Sequence, residues 1–332
     1  MSKEIFDNLI RVFTFSFIYN FFMKIVFIVI VSLLGIIIAS IIILGIIGYR
    51  LVYKRTKIPY CVLDVPNEKF LFPAKVKEYY KEYKRIPFEE YYVTNKRHKK
   101  LYGELRRSAN QINPLKPTVI LFSHGHLSSG DNDVALFNSF QLKHYDLLAI
   151  DHEGNGNSDG KHSGFGIYES ENIRLWVSKI NEIYNHNVNI YLHGVSMGSN
   201  SVLLNASSEM ENVKGIIADC GYTSTYAIIR HIAKSRFVSF SVCLFNSFIL
   251  KRNIFEYSTL KTVSKSLYPI LFFHGEDDNF VPFSMSEQND KVCKSKHKFV
   301  PIPKASHASS YLTDPKTYEK EFDSFIEENN KA

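Results

Sequence analysis

A chain of 332 residues that is 45% hydrophobic has room for one large domain plus an appendage and enough apolar side chains to close a core, which excludes a disordered or fibrous protein. Its formal charge of +7 would suit nucleic acid if the basic residues were clustered in a binding motif, but they are diffuse, so no nucleic-acid partner is expected. Cys61, Cys220, Cys243 and Cys293 form no CxxC pair and fit either buried thiols, the blander reading, or bridges.

Taken in chain order, residues 1–24 mix aromatics with Lys3, Glu4, Asp7, Arg11 and Thr14 on one helical face, the pattern of an interfacial helix. From Ile25 to Tyr49 no charged residue intervenes, and about 20 apolar residues are enough to cross the hydrocarbon layer. That run is longer than the ~7–15 residues of a signal-peptide core, and no A-x-A cleavage site follows it. A transmembrane anchor over residues 25–49 is therefore expected. Lys3, Arg11 and Lys24 precede the span, while Arg50, Lys54, Arg55, Lys57 and Lys69 follow it, a balance that puts the rest of the chain in the cytoplasm. Residues 50–87 are basic and tyrosine-rich, with Pro59, Pro66 and Pro73 interrupting any long helix, and read as a linker into a domain over residues 88–330.

Residues 88–109 alternate as a β-hairpin does. Beyond Pro117 the apolar runs Thr118–Ser123, Tyr145–Asp151, Val188–His193, Val213–Asp219, Pro269–His274 and Lys298–Ile302 read as strands buried on both faces. Amphipathic stretches near 131–143, 171–186, 198–209, 284–293 and 314–328 read as helices between them. This alternation predicts an α/β fold with a mostly parallel sheet and helices on both faces. Residues 223–267 exceed what one crossover helix needs, and their Phe237, Phe240, Leu244, Phe245, Phe248 and Leu250 suggest an apolar cap.

The strand ending at His193 runs directly into Gly194-Val195-Ser196-Met197-Gly198 and then a helix candidate. In that strand–turn–helix context G-x-S-x-G lifts a serine hydroxyl above the sheet edge, although alone the serine could be a helix cap. A serine nucleophile needs a histidine base, and the histidine needs a carboxylate to hold one tautomer. His307 lies in a loop between the last strand and the last helix, at the sheet edge where parallel strands all end. Three aspartates compete as its partner: Asp219, Asp277 and Asp278. The developing oxyanion needs aimed N–H donors. Those of Met197 and of His126, in the loop after the strand Thr118–Ser123, are the candidates. His124 and His126 as metal ligands are disfavoured, since no third ligand follows at a suitable spacing.

His124-Gly125, Asp151-x-x-Gly154-x-Gly156-x-Ser158-x-Gly160, Gly194-x-Ser196-x-Gly198, His274-Gly275-x-x-Asp278-x-x-Val281-Pro282 and Ala305-x-His307 together resemble the ordered motif set of the α/β-hydrolase superfamily, over roughly residues 88–328. Residues 217–222 and 309–315 are similar to bacterial, often membrane-anchored hydrolases grouped with acylaminoacyl- and prolyl-oligopeptidase-like serine enzymes. The resemblance selects Asp278 as the acid and implies ester or amide hydrolysis with no metal and no organic cofactor. One departure is Glu153, where the family usually carries arginine. The substrate expected is a small acylated or lipid-like ester, with a short peptide as the alternative. A non-catalytic membrane interaction module on the same fold is the reading of another class.

Overall fold

A computed structural model describes residues 3–55 and 74–331. The strands are β1 (Glu89–Thr94), β2 (Lys100–Arg106), β3 (Thr118–Ser123), β4 (Asp146–Ile150), β5 (Asn189–Val195), β6 (Val213–Asp219), β7 (Ile270–Gly275) and β8 (His297–Ile302). In chain order the helices are α1 (Lys3–Gly48), α2 (Ala74–Arg85), α3 (Gly130–Leu136), α4 (Ile167–Ile183), α5 (Met197–Leu203), α6 (Thr225–Ala233), α7 (Arg236–Leu250), α8 (Thr259–Val263), α9 (Phe283–Val292), α10 (Ser310–Thr313) and α11 (Pro315–Asn330).

All eight strands join one sheet in the order β1-β2-β4-β3-β5-β6-β7-β8. The β1–β2 hairpin and the β2–β4 pair are antiparallel, and every pair beyond β4 is parallel. The central strands β3, β4 and β5 are buried at every residue because both faces are covered. In β3, Ile120 and Phe122 enter a core with α2, α3 and α11, while Val119 and Leu121 enter a second core with α4 and α5. Local signals set the helix starts: Asp314 accepts from Thr317 N–H ahead of Pro315 at the first position of α11, and Ser224 and Ser235 cap α6 and α7 in the same way.

The N-terminal region differs from the sequence expectation in two respects. No break separates the expected interfacial segment 1–24 from the span 25–49: one helix runs from Lys3 to Gly48, and a further helical turn, Tyr49–Tyr53, extends it. Lys24 leaves no break because a single lysine is a good helix former and needs no turn. The stretch Phe13–Tyr53 is long and apolar enough to cross a membrane. Nor is the segment from residue 50 a free linker. Tyr53 is fully buried, Ser163 N–H donates to its carbonyl (2.7 Å), and Arg55 donates to the carbonyls of Gly156 (2.6 Å) and Ser158 (2.8 Å). Farther along the same interval, α2 packs against α3, with Tyr83 buried beside Arg106. Pro59, Pro66 and Cys61 lie outside the described residues, whereas Cys220, Cys243 and Cys293 are buried free thiols.

Tyr53 fills space among Phe165, Met197, Tyr222 and Cys243, and among the described residues its hydroxyl has no hydrogen-bond partner. Tyr53→Ala should therefore cost about 3 kcal/mol through the cavity it leaves. Tyr53→Phe should be neutral or slightly stabilising, because it removes only an unpartnered hydroxyl. Thermal unfolding of the two variants in detergent checks this, and equal losses would mean that the ring is not what docks the helix.

Candidate active site

The turn from β5 into α5 carries Ser196 at φ 54°, ψ −114°, in left-handed territory that a serine adopts only under constraint. The constraint is close packing. A Cβ on Gly194 would collide with the Gly198 carbonyl, and one on Gly198 with the Ser123 carbonyl, so both flanking positions require glycine. Ser196 N–H donates to Asp219 O (2.9 Å), which ties the turn to the neighbouring strand. The result holds Ser196 Oγ above the carboxyl ends of the strands, 7% exposed.

His307, from the loop after β8, meets it there. Ser196 Oγ lies 3.0 Å from His307 Nε2, and His307 Nδ1 lies 2.7 Å from Asp278 Oδ2. Asp278 follows β7, and its other oxygen, Oδ1, accepts from Phe280 N–H (2.9 Å) and Val281 N–H (2.8 Å). Burial alone would raise its pKa, but hydrogen bonds from His274 and His307 outweigh that and hold the carboxyl well below its usual range. Phe280 covers the His307 ring, with centroids 4.9 Å apart.

The competing aspartates are elsewhere. Asp277 is exposed, turned away from its buried neighbour Asp278. Asp219 is buried and accepts from Ser310 Oγ (2.8 Å), and burial pushes its pKa up to about 6. The sequence assigned no role to His274, yet it sits fully buried with Nε2 3.2 Å from Asp278 Oδ2 and 3.0 Å from Val281 O, and with Nδ1 2.6 Å from Ser286 Oγ. Its place in the His-Gly-x-x-Asp pattern was the available signal.

The loop after β3 runs beside the serine: a Cβ on Gly125 would lie 3.6 Å from Ser196 Cβ. Asp133, a residue that no sequence pattern singled out, organises this loop from α3. Its Oδ2 accepts from Gly125 N–H (2.6 Å) and its Oδ1 from Ser128 Oγ (2.5 Å). Burial raises its pKa to about 6. Gly125 N–H is thereby engaged, which leaves the next amide, that of His126, as the candidate donor on this side. Met197 N–H opens α5, where a first-turn amide has no partner in its own helix. The half-buried His126 ring stands edge-on to Phe165 (4.8 Å), and desolvation lowers its pKa to about 3. The His124 ring is occupied structurally: Nδ1 lies 2.6 Å from Gly125 O and Nε2 accepts from His152 N–H (3.0 Å). Among the described residues, the one cluster with metal-ligand spacing is Cys220, Asp278 and His307, which is this same site.

Glu153 is not left uncompensated. It is buried, and Arg97 from the β1–β2 turn donates to it from Nε (2.9 Å) and Nη2 (2.8 Å), with Asn95 Nδ2 adding a third bond (2.6 Å). The same loop is held at Asp151, which accepts from Gly130 N–H (2.8 Å) and Asn157 N–H (2.7 Å).

Comparison with known proteins agrees with this architecture. Residues 116–238 match the Hydrolase_4 family, described as serine aminopeptidase, S33. An uncharacterized protein of Bacillus subtilis (strain 168), YqkD, is 28% identical over 223 residues, 65% of this chain and 73% of that one. The Pyrococcus furiosus esterase Pf2001 superposes with a TM-score of 0.58 at 19% identity, covering 75% of this chain and 93% of that one. A bacterial membrane phospholipase A superposes with a TM-score of 0.54 at 16% identity, covering 78% and 91% of the two chains. With its sheet order, its strained serine turn and these neighbours, the chain has the α/β-hydrolase fold.

Proposed function

We propose that this protein is a membrane-anchored serine hydrolase that cleaves carboxylic esters of acylated, lipid-like molecules through an acyl-enzyme. The observation that carries the reading is the unbroken relay from Ser196 Oγ to His307 to Asp278, at 3.0 and 2.7 Å. Ser196 Oγ attacks the carbonyl carbon while its proton passes to His307 Nε2, and the amides of Met197 and His126 receive the oxyanion. His307 then gives that proton to the leaving alkoxide as the ester C–O bond breaks. In the second half, water loses a proton to His307, attacks the acyl carbon, and releases the acid as Ser196 recovers its hydrogen. Asp278 holds Nδ1 as the donor and stabilises the imidazolium formed in each half.

The anchor reading is supported by the way α1 ends. A cleaved signal peptide would have no reason to bury its last turn beneath Met197, whereas Tyr53 does so. A lipid-like substrate is favoured by that anchor and by the apolar cap over residues 223–267. The match to a serine aminopeptidase family over residues 116–238 supports a second reading, cleavage of aminoacyl amides by the same residues.

Full-length protein in detergent should react with a fluorophosphonate probe at Ser196 and hydrolyse p-nitrophenyl acyl esters faster than aminoacyl p-nitroanilides. Faster turnover of the anilides would transfer the assignment to a peptidase. No labelling at all would leave a non-catalytic module on a hydrolase fold.

A further inference from the structure

The cap helix α7 has two faces, and neither is built for water. No charged residue lies between Arg236 and Lys251. On the inner face Val242 and Asn246 meet the end of α1: a Cβ on Gly45 would collide with Phe245, one on Gly48 with Val242, and Asn246 Nδ2 donates to Gly45 O (3.3 Å). The two glycines thus let the helices approach closely, as small residues do between helices in membranes. On the outer face Phe237, Phe240 and Phe248 share one stripe and are 49%, 44% and 75% exposed, and Ile249, toward the α1 side, is 42% exposed.

The side-chain donors of α7 are taken up inside the helix. Ser239 donates to Ser235 O (2.8 Å), Ser241 to Phe237 O (2.8 Å), Ser247 to Cys243 O (2.7 Å) and Asn246 to Val242 O (2.8 Å). Such bonding removes the need for water at each of these donors. At fifteen residues α7 is shorter than the roughly 20 needed to cross a bilayer, and basic Arg236 and Lys251 stand at its two ends, where they can reach headgroups.

We propose that α7 is a second membrane contact: it lies in the leaflet that receives the end of α1, with Phe237, Phe240, Phe248 and Ile249 in the acyl-chain region. The occupant of the exposed stripe is lipid because α7 packs directly against α1, whose Ile42, Ile43, Ile46 and Ile47 are also exposed and would lie at the same depth. The inference rests on the membrane-anchor reading of α1. Its consequence concerns the site: Val242 and Cys243 of α7, Tyr53 after α1, and Met197 next to Ser196 belong to one apolar cluster, so seating α7 in the bilayer fixes the cap, the anchor and the serine turn relative to the lipid surface.

The test uses full-length protein in phosphatidylcholine vesicles in a Cys61→Ser background, the other three cysteines being buried. A thiol-reactive fluorophore is attached at Phe248→Cys on α7, at Ile36→Cys on α1 and at Leu115→Cys, an 87% exposed loop position. Lipids carrying a nitroxide on the acyl chain should quench the labels at 248 and 36 and spare the label at 115, and aqueous iodide should do the reverse. Iodide quenching at 248 with lipid quenching retained at 36 overturns the proposal and leaves the anchor standing. Loss of lipid quenching at 36 as well removes the anchor reading itself. Protection of 248 from both quenchers would mean that protein, such as a second copy, covers α7, and also overturns the proposal. Phe240→Cys repeats the measurement should Phe248→Cys fail to fold.

Discussion

Ser196→Ala should lower kcat for ester hydrolysis by about 10⁴–10⁶ while leaving the fold intact. The loss follows from the relay, because His307 then has no hydroxyl to deprotonate and the acyl-enzyme cannot form. The fold should tolerate the change. Alanine at φ 54° carries the same Cβ that serine does, so the strained turn gains no new contact, and the side-chain bond lost is the one to His307. What remains should be the weak assistance of the oxyanion amides to direct attack by water, about 10³–10⁴ over the uncatalysed reaction. The measurement is steady-state hydrolysis together with the melting temperature of each variant. Activity above about a hundredth of wild type in a folded, uncontaminated preparation would mean that another residue is the nucleophile.

Asp278→Asn should cost about 10⁴ in kcat. The amide oxygen of an asparagine would take the place of Oδ1, where the N–H groups of Phe280 and Val281 require an acceptor. Its NH₂ would then stand where Oδ2 stands, facing His307 Nδ1 with a donor instead of an acceptor. His307 would have to accept at Nδ1 and carry its proton on Nε2, toward Ser196, and a protonated Nε2 cannot act as base. Asp277→Asn and Asp219→Asn should each cost less than about tenfold, as surface or structural positions away from the imidazole do. If Asp219→Asn cripples the enzyme while Asp278→Asn stays active, the acid is Asp219, and the relay through Asp278 is not the working one.

Much of this molecule was legible in its sequence. Strands buried on both faces are mostly apolar, so β3 to β7 stood out as runs, and β3 and β6 begin and end where the runs do, whereas the edge strand β8 is largely exposed, contrary to the expectation of burial on both faces. The serine turn was legible because its close backbone approaches admit only glycine at 194 and 198. Asp278 was legible through its spacing from His274 and Val281, not through any property of the residue itself.

What the sequence did not reveal depends on contacts that only folding makes, near or far along the chain. Asp133 looks like any helix-face aspartate until folding brings Gly125 and Ser128 to it. Glu153 looks like an unexplained departure until Arg97 arrives from a different hairpin. The unbroken α1 and the docking of Tyr53 were not expected, because composition reports that a segment is apolar or basic but not which surface will cover it. The sequence by itself determined the element pattern and the chemistry-bearing loops, through local periodicity and backbone constraints. Only the tertiary structure decided which helix packs on the end of α1 and which side chains hold the loops around the serine, since these contacts join residues that no local pattern links.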